Sequence, residues 1–360
     1  MRYILIVVLG LFSCGSKELD AGFSLSEMGL VRLDSLLIHE DSLALGLTFN
    51  EKNFSDSLLV LGDGTFSRVH LFSSKSGQKI TSFGNNSIKE YPLPEKSYSN
   101  SFISGDSLFL LNHLTQEVFC FSLHGQFLDK TSLNLANSLL VLDFENVFKK
   151  INDRWYVSSK AEGPLSDVFV KSKLISVFDL AGNLLFSFGE YPKEYSEGPL
   201  VLSHQEHFIF KRDKIFSINV AGRPLLKIYD LDGKLISETE LSSKFYNSDL
   251  GYHSGDPFSA PLTDQINNVA IDPDSDSDII YLTYSTFSSR DFEQGLSTYR
   301  LMLMEINLNQ RTIEEAEVLD SRYLSHTAEL LPEVSGDTLK FLIRDLDQNL
   351  YIKNVKLKRD

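Results

Sequence analysis

Short apolar stretches alternate with polar turns along most of the chain, and one combination of the two recurs six times. Each copy opens with an Asp and a strand-like apolar stretch, at residues 56–61, 106–111, 153–158, 213–218, 278–283 and 337–342. Successive copies start 47 to 65 residues apart. No long stretch has the three- and four-residue apolar spacing of an amphipathic helix. The pattern therefore predicts a chain built mainly of β-strands.

Most copies continue into a second strand, a turn and a third strand. The first four of these turns contain a glycine, namely Gly77, Gly125, Gly182 and Gly233. Tight hairpin turns require a positive φ, which glycine adopts without strain. The fifth copy turns through residues 307–309 and the sixth through residues 345–349, both without glycine. Four of the six units thus carry hairpin turn chemistry of their own.

A repeat slightly longer than the roughly 40–50 residues of a propeller blade predicts an all-β fold, a six-bladed β-propeller with four-stranded antiparallel blades. The sixth copy ends close to the C-terminus, which would leave its blade with an unpaired edge. Strand-like stretches at residues 30–33 and 43–49 are available to pair with that edge. We therefore expect an N-terminal strand to close the ring, and we assign residues 29–360 to one propeller domain.

The N-terminus has the pattern of an export sequence. Residues 1–13 contain one basic residue and an apolar core that is shorter than the roughly 20 residues needed to span a bilayer, so they predict a signal peptide. Leu11-Phe-Ser-Cys14 resembles the lipobox of bacterial lipoproteins, which implies an acylated Cys14 followed by a polar tether at residues 14–28. An ordinary signal peptide cleaved near Ser16 is the alternative.

The overall charge narrows the range of partners. The formal net charge is −15 and the pI is about 5.0, which argues against nucleic acid binding because that depends on Lys and Arg. It also argues against adhesion to anionic lipid, so membrane attachment is expected through the acyl chains on Cys14. Cys120 then has no disulfide partner, and its apolar neighbours predict a buried structural thiol.

Three motifs suggest chemistry, but each is better explained by strands and turns. Residues 272–278 alternate carboxylates like the start of an EF-hand loop, but they lack its Gly and distant Glu and lie between two predicted strands. Residues 230–233 are interpreted as a turn in the same way. His204 and His207 would point to opposite faces of a strand. We predict no metal site and no cofactor, and the missing Gly-x-Ser-x-Gly elbow leaves no catalytic nucleophile to assign.

Arg and aromatic residues in loops are the best candidates for ligand contacts, because such residues dominate binding hot spots. The longest stretches between predicted strands are residues 85–100, 189–203 and 245–265. The candidate binding residues are Tyr98, Arg154, Tyr195, Tyr252 and His253. Packing between blades is the alternative role for them, and Trp155 beside Arg154 is expected in the core.

The lipobox, the aromatic-rich hairpins and the Phe-Gly pairs at Phe83-Gly84 and Phe188-Gly189 together resemble the six-bladed β-propeller lipoproteins of Bacteroidota. That group is similar to NHL- and TolB-like propellers, and many of its members are domains of unknown function. The resemblance implies the fold and an outer-membrane location, with the periplasmic and surface-exposed faces both open. It transfers no catalytic residues.

These inferences converge on a lipid-anchored, extracytoplasmic binding or scaffolding module of the cell envelope. Its partner would be a protein, a small molecule or a glycan that meets one face of the ring. The alternative is a metal-dependent hydrolase or lyase, similar to propeller lactonases, that uses the central channel. A third possibility is an envelope sensor that reports to a membrane partner. Fold alone does not decide among them.

Overall fold

The computed structural model describes the parts of the chain that form the strands and many of the turns. The described residues are 23–39, 52–54, 57–63, 68–84, 98–113, 115–135, 138–140, 147–161, 170–191, 206–219, 223–246, 264–272, 276, 278–287, 299–319, 328–331, 334, 336–344 and 349–358.

The strands form six sheets, which are the blades of a propeller. Two N-terminal strands, β1 (Ser24–Glu27) and β2 (Gly29–Ile38), precede the first blade. Blade 1 contains β3 (Lys52–Phe54), β4 (Leu58–Asp63), β5 (Arg68–Ser73) and β6 (Lys79–Gly84). Blade 2 contains β7 (Tyr98–Ser104), β8 (Ser107–Asn112), β9 (Glu117–Ser122) and β10 (Phe127–Ser132). Blade 3 contains β11 (Ser138–Leu140), β12 (Phe148–Ile151), β13 (Arg154–Ala161), β14 (Ile175–Asp179) and β15 (Leu184–Phe188).

The second half of the ring repeats this arrangement. Blade 4 contains β16 (Glu206–Lys211), β17 (Lys214–Asn219), β18 (Leu225–Asp230) and β19 (Leu235–Glu240). Blade 5 contains β20 (Gln265–Ile271), β21 (Ile279–Phe287), β22 (Tyr299–Asn307) and β23 (Thr312–Leu319). Blade 6 contains β24 (Ala328–Leu330), β25 (Thr338–Arg344) and β26 (Leu350–Lys358), with β2 as its outermost strand. The all-β, six-bladed, antiparallel fold predicted from the sequence is confirmed.

The Asp-led stretches of the repeat form the second strand of each blade, counted outward from the axis. The innermost strands contact one another from blade to blade, as β3 does with β7 and β16 with β20. In the five copies whose Asp is described, this residue lies in the connection between the first and second strands, and in blades 2 and 6 its backbone carbonyl extends the sheet. Asp106 O accepts a hydrogen bond from Leu123 N at 3.2 Å, and Asp337 O accepts one from Leu357 N at 2.9 Å.

Ring closure follows the prediction that an N-terminal strand completes the last blade. β2 pairs with β26 in antiparallel register, so that Leu30 lies opposite Leu357 and Ile38 lies opposite Leu350. β1, which lies within the segment assigned to the tether, also joins the ring. It runs parallel to β23 and places Ser24 opposite Thr312. The N-terminal segment therefore pairs first with blade 5 and then with blade 6.

The core consists of apolar clusters between neighbouring blades, because each inner strand buries side chains on both faces. One cluster lies between blade 6 and blade 1, where Ile38, Leu342 and Ile352 pack against Leu59 and Phe72. These five side chains are at most 3% exposed. Full burial of an aliphatic or Phe side chain contributes roughly 1.5–3 kcal/mol, so this cluster stabilises the closure of the ring directly.

The hairpin between the third and fourth strands of a blade starts with a side-chain oxygen that accepts backbone N–H groups. Ser122 Oγ accepts from His124 N and Gln126 N, and Asp230 Oδ1 accepts from Asp232 N and Lys234 N. Asn307 Oδ1 serves the glycine-free turn of blade 5 by accepting from Gln310 N. These side-chain to backbone bonds are typical turn chemistry.

The turn glycines also allow neighbouring blades to approach each other closely. Gly77 and Gly182 adopt φ values of 69° and 85°. A Cβ added to either glycine would overlap a backbone carbonyl oxygen of the preceding blade's outermost strand, that of Leu37 or of Ser132. Glycine is therefore required there for its missing side chain as well as for its dihedral angles.

Candidate functional site

An open cleft of about 470 Å³ lies on the rim of the ring where the N-terminal segment crosses from blade 5 to blade 6. Its walls carry polar and aromatic side chains, including Glu27, Arg32, Phe245, Arg300 and Glu317, and its floor includes Met302, Val318 and Val355. Such a lining offers guanidinium donors, carboxylate acceptors and an aromatic surface to one bound group.

The cleft exists because β1 covers only part of the outer edge of β23. The pairing of the two strands ends at Glu27 opposite Glu315, whereas β23 continues to Leu319. Met28 N still donates to Glu315 O at 3.0 Å, and the chain then turns toward blade 6. The space that opens between the departing segment and the end of β23 is the cleft.

A buried carboxylate fixes the wall that carries Phe245. Glu315 is 1% exposed and accepts hydrogen bonds from Tyr284 Oη at 2.6 Å, from Ser243 Oγ at 2.5 Å and from Lys244 N at 2.9 Å. Burial, followed by the charge of Glu315, raises the pKa of Tyr284. Ser243 Oγ also accepts from Phe245 N at 3.1 Å, so the network holds the backbone of this aromatic residue in place.

A second buried carboxyl lies on β16, the innermost strand of blade 4, and faces blade 3. Glu206 is 6% exposed; its Oε2 accepts from Ser217 Oγ at 2.7 Å, whereas its Oε1 has no partner in the described part of the chain. Burial raises its pKa to about 7, opposed by the Ser217 hydrogen bond and by the charge of Lys227. A pKa near 7 suits proton transfer, but the carboxyl is enclosed between two blades.

His207, the next residue, faces the opposite interface between blades 4 and 5. Its Nε2 lies 2.9 Å from Ile266 O, and because a carbonyl only accepts, Nε2 carries the proton. Burial lowers the pKa of His207 to about 4, so the ring is neutral near pH 7. Its position on a strand agrees with the prediction, while His204 lies outside the described residues.

Of the predicted binding residues, only Arg154 and Tyr98 lie in the described part of the chain, and they belong to blades 3 and 2 rather than to the rim cleft between blades 5 and 6. Arg154 lies at the start of β13 and donates to Asp232 Oδ1 at 2.8 Å, which links the turns of blades 3 and 4. Tyr98 begins β7 and pairs with Asn112. Tyr195, Tyr252, His253 and the proposed lipidation residue Cys14 lie outside the described residues, so their roles stay predictions.

The acidic cluster that resembled a calcium loop lies, where described, in the turn between β20 and β21. Its carboxylates contact the basic turn of blade 4. Arg212 Nη2 lies 2.5 Å from Asp276 Oδ1, and Lys214 Nζ lies 2.9 Å from Asp278 Oδ2. Among the described residues, no group of three His, Cys, Asp or Glu side chains is placed to hold a metal ion.

Cys120 is half-buried on β9, whereas its neighbours Phe119 and Phe121 are buried, so the prediction of a fully buried thiol is corrected. Burial still raises the pKa of its thiol. Trp155 is 3% exposed and belongs to the core, as expected. In the described part of the chain, no helix has the length and apolar character to cross a membrane.

Sequence reasoning did not identify the cleft as a site. Phe245 starts one of the long stretches that were singled out, residues 245–265, which was the available clue. Arg32 lies within residues 30–33, one of the two stretches predicted to close the ring. Neither clue indicated that Arg32 and Phe245 would share a cleft, since that depends on the parallel pairing of β1 with β23.

The fold and the cleft define a six-bladed β-propeller with a candidate ligand site on its rim. No model of a known protein family matches the chain, and no curated protein sequence matches it. A solved member of the DUF4221 family from Bacteroides vulgatus has a similar structure, with a TM-score of 0.63 and 9% identity over 93% of this chain and 99% of that chain. A protein from Bacteroides fragilis is similar over the same shares, with a TM-score of 0.59 and 11% identity. At these identities the similarity establishes the fold alone.

Proposed function

We propose that this protein is a lipid-anchored, extracytoplasmic binding or scaffolding module of the cell envelope. The observation that carries the binding role is the rim cleft of about 470 Å³, in which Arg32, Arg300 and Phe245 line one open space. Arg and aromatic side chains contribute disproportionately to binding energy. The envelope location is supported by the signal peptide and lipobox pattern that ends at Cys14.

The chemistry of the cleft limits its partner. A partner with an anionic group would bind the guanidinium groups of Arg32 and Arg300 through charge-assisted hydrogen bonds. An apolar or ring-shaped part of the same partner would pack on Phe245, which is 44% exposed. A protein segment, a small molecule or a glycan with these two features would fit.

Site-specific photo-crosslinking tests the cleft as the binding surface. With a photoreactive phenylalanine analogue at position 245, we expect a discrete crosslinked product in native envelope membranes, because a bound partner would lie against this side chain. The matched control carries the same analogue at Ile236, which is 54% exposed on the outermost strand of blade 4. The products are resolved by gel electrophoresis and identified by mass spectrometry.

The pattern of products decides the outcome. A product from position 245 that is lost in the Arg300→Ala background, and that is absent from position 236, supports the proposal. Equal crosslinking from both positions, or none from position 245, would show that the cleft is not the binding surface.

Anchoring is tested separately. Replacement of Cys14 with Ala is expected to abolish incorporation of labelled palmitate, because the acyl chains have no other attachment site in the proposal. The matched control is Cys120→Ala, the only other cysteine in the chain, which should retain full labelling. Intact-mass measurement of the purified proteins gives the same comparison. Labelling that survives Cys14→Ala would rule out this anchor.

A further inference from the structure

The outer strands of blade 6 carry a concentration of positive charge that the overall composition hides. Arg32 lies on β2, and Lys353, Lys356 and Lys358 lie on the neighbouring β26. We call these four residues the basic edge. Arg32, Lys356 and Lys358 are exposed, and Lys353 is half-buried. This edge stands out in a chain whose net charge is −15.

The strand register divides the basic edge between the two faces of blade 6, because Arg32 lies opposite Val355 and successive residues of a strand point to opposite faces. Lys356 lies opposite Val31, Lys358 opposite Gly29 and Lys353 opposite Ser35. No carboxylate among the described residues lies within ion-pair distance of Arg32, Lys353 or Lys356. The pKa of Lys353 is lowered first by burial and then by repulsion from Arg32, which reflects their proximity.

Apolar side chains on β2 are exposed beside this charge. Val31, Leu33 and Leu37 are 44%, 42% and 38% exposed. Other outermost strands also expose apolar residues, such as Ile236 on β19, but β19 carries Glu238 and Glu240 and no basic residue, whereas β2 carries Arg32 and a single acidic residue, Asp34, beside the lysines of β26. The combination of exposed apolar and basic residues is what distinguishes the edge of blade 6 from that of blade 4.

The basic edge also lies close to the predicted lipid anchor along the chain. Cys14 precedes the first residue of β2, Gly29, by only 15 positions. An extended chain spans at most about 3.3–3.6 Å per residue, so the acyl chains would hold this part of the ring within a few tens of ångströms of the bilayer. Part of that length is already taken up by β1 on blade 5.

We infer that the basic edge and the exposed side chains of Val31 and Leu33 form a second membrane contact that docks blade 6 on anionic phospholipid headgroups. The partner is identified by charge complementarity and by the position of the anchor, so the inference rests in part on the proposed lipoprotein. Acyl chains combined with a basic patch make a firmer attachment than either alone. Docking through blade 6 would leave blade 3, on the far side of the ring, directed away from the membrane.

Vesicle binding tests the contact without the acyl chains, so its failure is distinguishable from failure of the anchor. The probe is the unlipidated chain from Gly15 to Asp360, which retains every described strand. We expect it to co-sediment with equimolar phosphatidylglycerol and phosphatidylcholine vesicles, to bind pure phosphatidylcholine weakly, and to dissociate as salt is raised. Equal binding to both kinds of vesicle, or binding to neither, would overturn the inference.

Charge reversal locates the contact on the ring. The variant Lys356→Glu with Lys358→Glu should partition to the anionic vesicles at least ~30-fold less, given the contribution of each basic residue near an anionic surface. The matched control, Lys171→Glu with Lys234→Glu, makes the same change at exposed residues beside blade 3 and on blade 4. An equal loss of vesicle binding in both variants would show that only the total charge matters. Circular dichroism establishes that both variants remain folded.

Discussion

Replacement of Gly77 with Ala is expected to destabilise the protein by about 4 kcal/mol or more, at the upper end of single-substitution effects. The new Cβ would overlap Leu37 O on β2, the N-terminal strand that completes blade 6. Gly77 O also accepts a hydrogen bond from His39 N at 2.9 Å. The overlap would push blade 1 away from the strand that closes the ring, so the substitution acts at the junction between the two ends of the chain.

The matched control for this prediction is Gly105→Ala. Gly105 also has a positive φ, 57°, but a Cβ there would meet no atom within 4 Å. Its cost should be limited to the strain of a left-handed residue, about 1–2 kcal/mol. Urea unfolding of both variants measures the difference in the free energy of unfolding.

A second readout identifies where the structure fails in the Gly77 variant. Limited proteolysis should cleave residues 29–39 faster than in the control, because β2 would detach from blade 1 before the other blades open. If Gly77→Ala and Gly105→Ala lost the same stability and showed the same cleavage pattern, the close approach of Gly77 to Leu37 would have no role in closure.

The Asp-led repeat predicted the blades because both of its components are local. Alternation along a strand and glycine in a hairpin turn are visible within a few residues. Gly77 was assigned to a turn for this reason. Its proximity to Leu37 was not predictable, because it depends on how blade 1 packs against a strand that lies 40 residues earlier in the chain.

The innermost strands and the rim cleft show where local patterns fail. β3 and β24 have three residues each, which is too short for alternation to be recognised. The cleft depends on β1, whose residue Ser24 pairs with Thr312 nearly 300 positions later. Arg154 was singled out as a candidate ligand contact, yet its ion pair with Asp232 of the next blade gives it a structural role.

The second large effect concerns the dependence of stability on pH, which the neighbouring residues Glu206 and His207 influence in opposite directions. Burial raises the pKa of Glu206 from 4.5 to about 7. The folded protein therefore holds a proton that the unfolded chain releases, and stability is lost as pH rises from about 4.5 through 7. Lys227 and Tyr229, on the same face of blade 4, and the backbone of Glu190, which accepts from Lys227 Nζ at 2.7 Å, surround the carboxyl.

His207 has the opposite effect. Burial lowers its pKa from 6.5 to about 4, so the unfolded chain binds a proton that the folded protein excludes. Its contribution to stability is present above pH 6.5 and is lost as pH falls toward 4. Each residue changes the free energy of unfolding by about 3 kcal/mol over the pH range between its unfolded and folded pKa values, because one pKa unit corresponds to about 1.4 kcal/mol. Between pH 4.5 and 6.5 the two effects largely cancel.

Glu206→Gln should separate the two effects. Without an ionising carboxyl at this position, we expect the free energy of unfolding at pH 8 to be about 1–3 kcal/mol higher in the variant than in the wild type. The lower value applies if the amide hydrogens of Gln find no acceptor in the folded protein. Below pH 6.5 the contribution of His207 is no longer offset, so the free energy of unfolding should fall by about 3 kcal/mol toward pH 4 relative to the wild-type profile. Urea unfolding across pH 4 to 8 measures both arms.

Glu240→Gln is the matched control, since Glu240 is exposed on the same blade and its ion pair with Arg223 is long, at 3.8 Å. The free energy of unfolding of this control should depend on pH as it does in the wild type.

If the free energy of unfolding of Glu206→Gln also depends on pH as in the wild type, Glu206 ionises freely in the folded ring, and the interface between blades 3 and 4 must admit water. If Glu206→Gln is more stable than the wild type at pH 8 but shows no steeper loss of stability at acid pH, His207 becomes protonated within the folded protein and keeps its hydrogen bond to Ile266 O. The two arms therefore report separately on the two interfaces that β16 shares with blades 3 and 5.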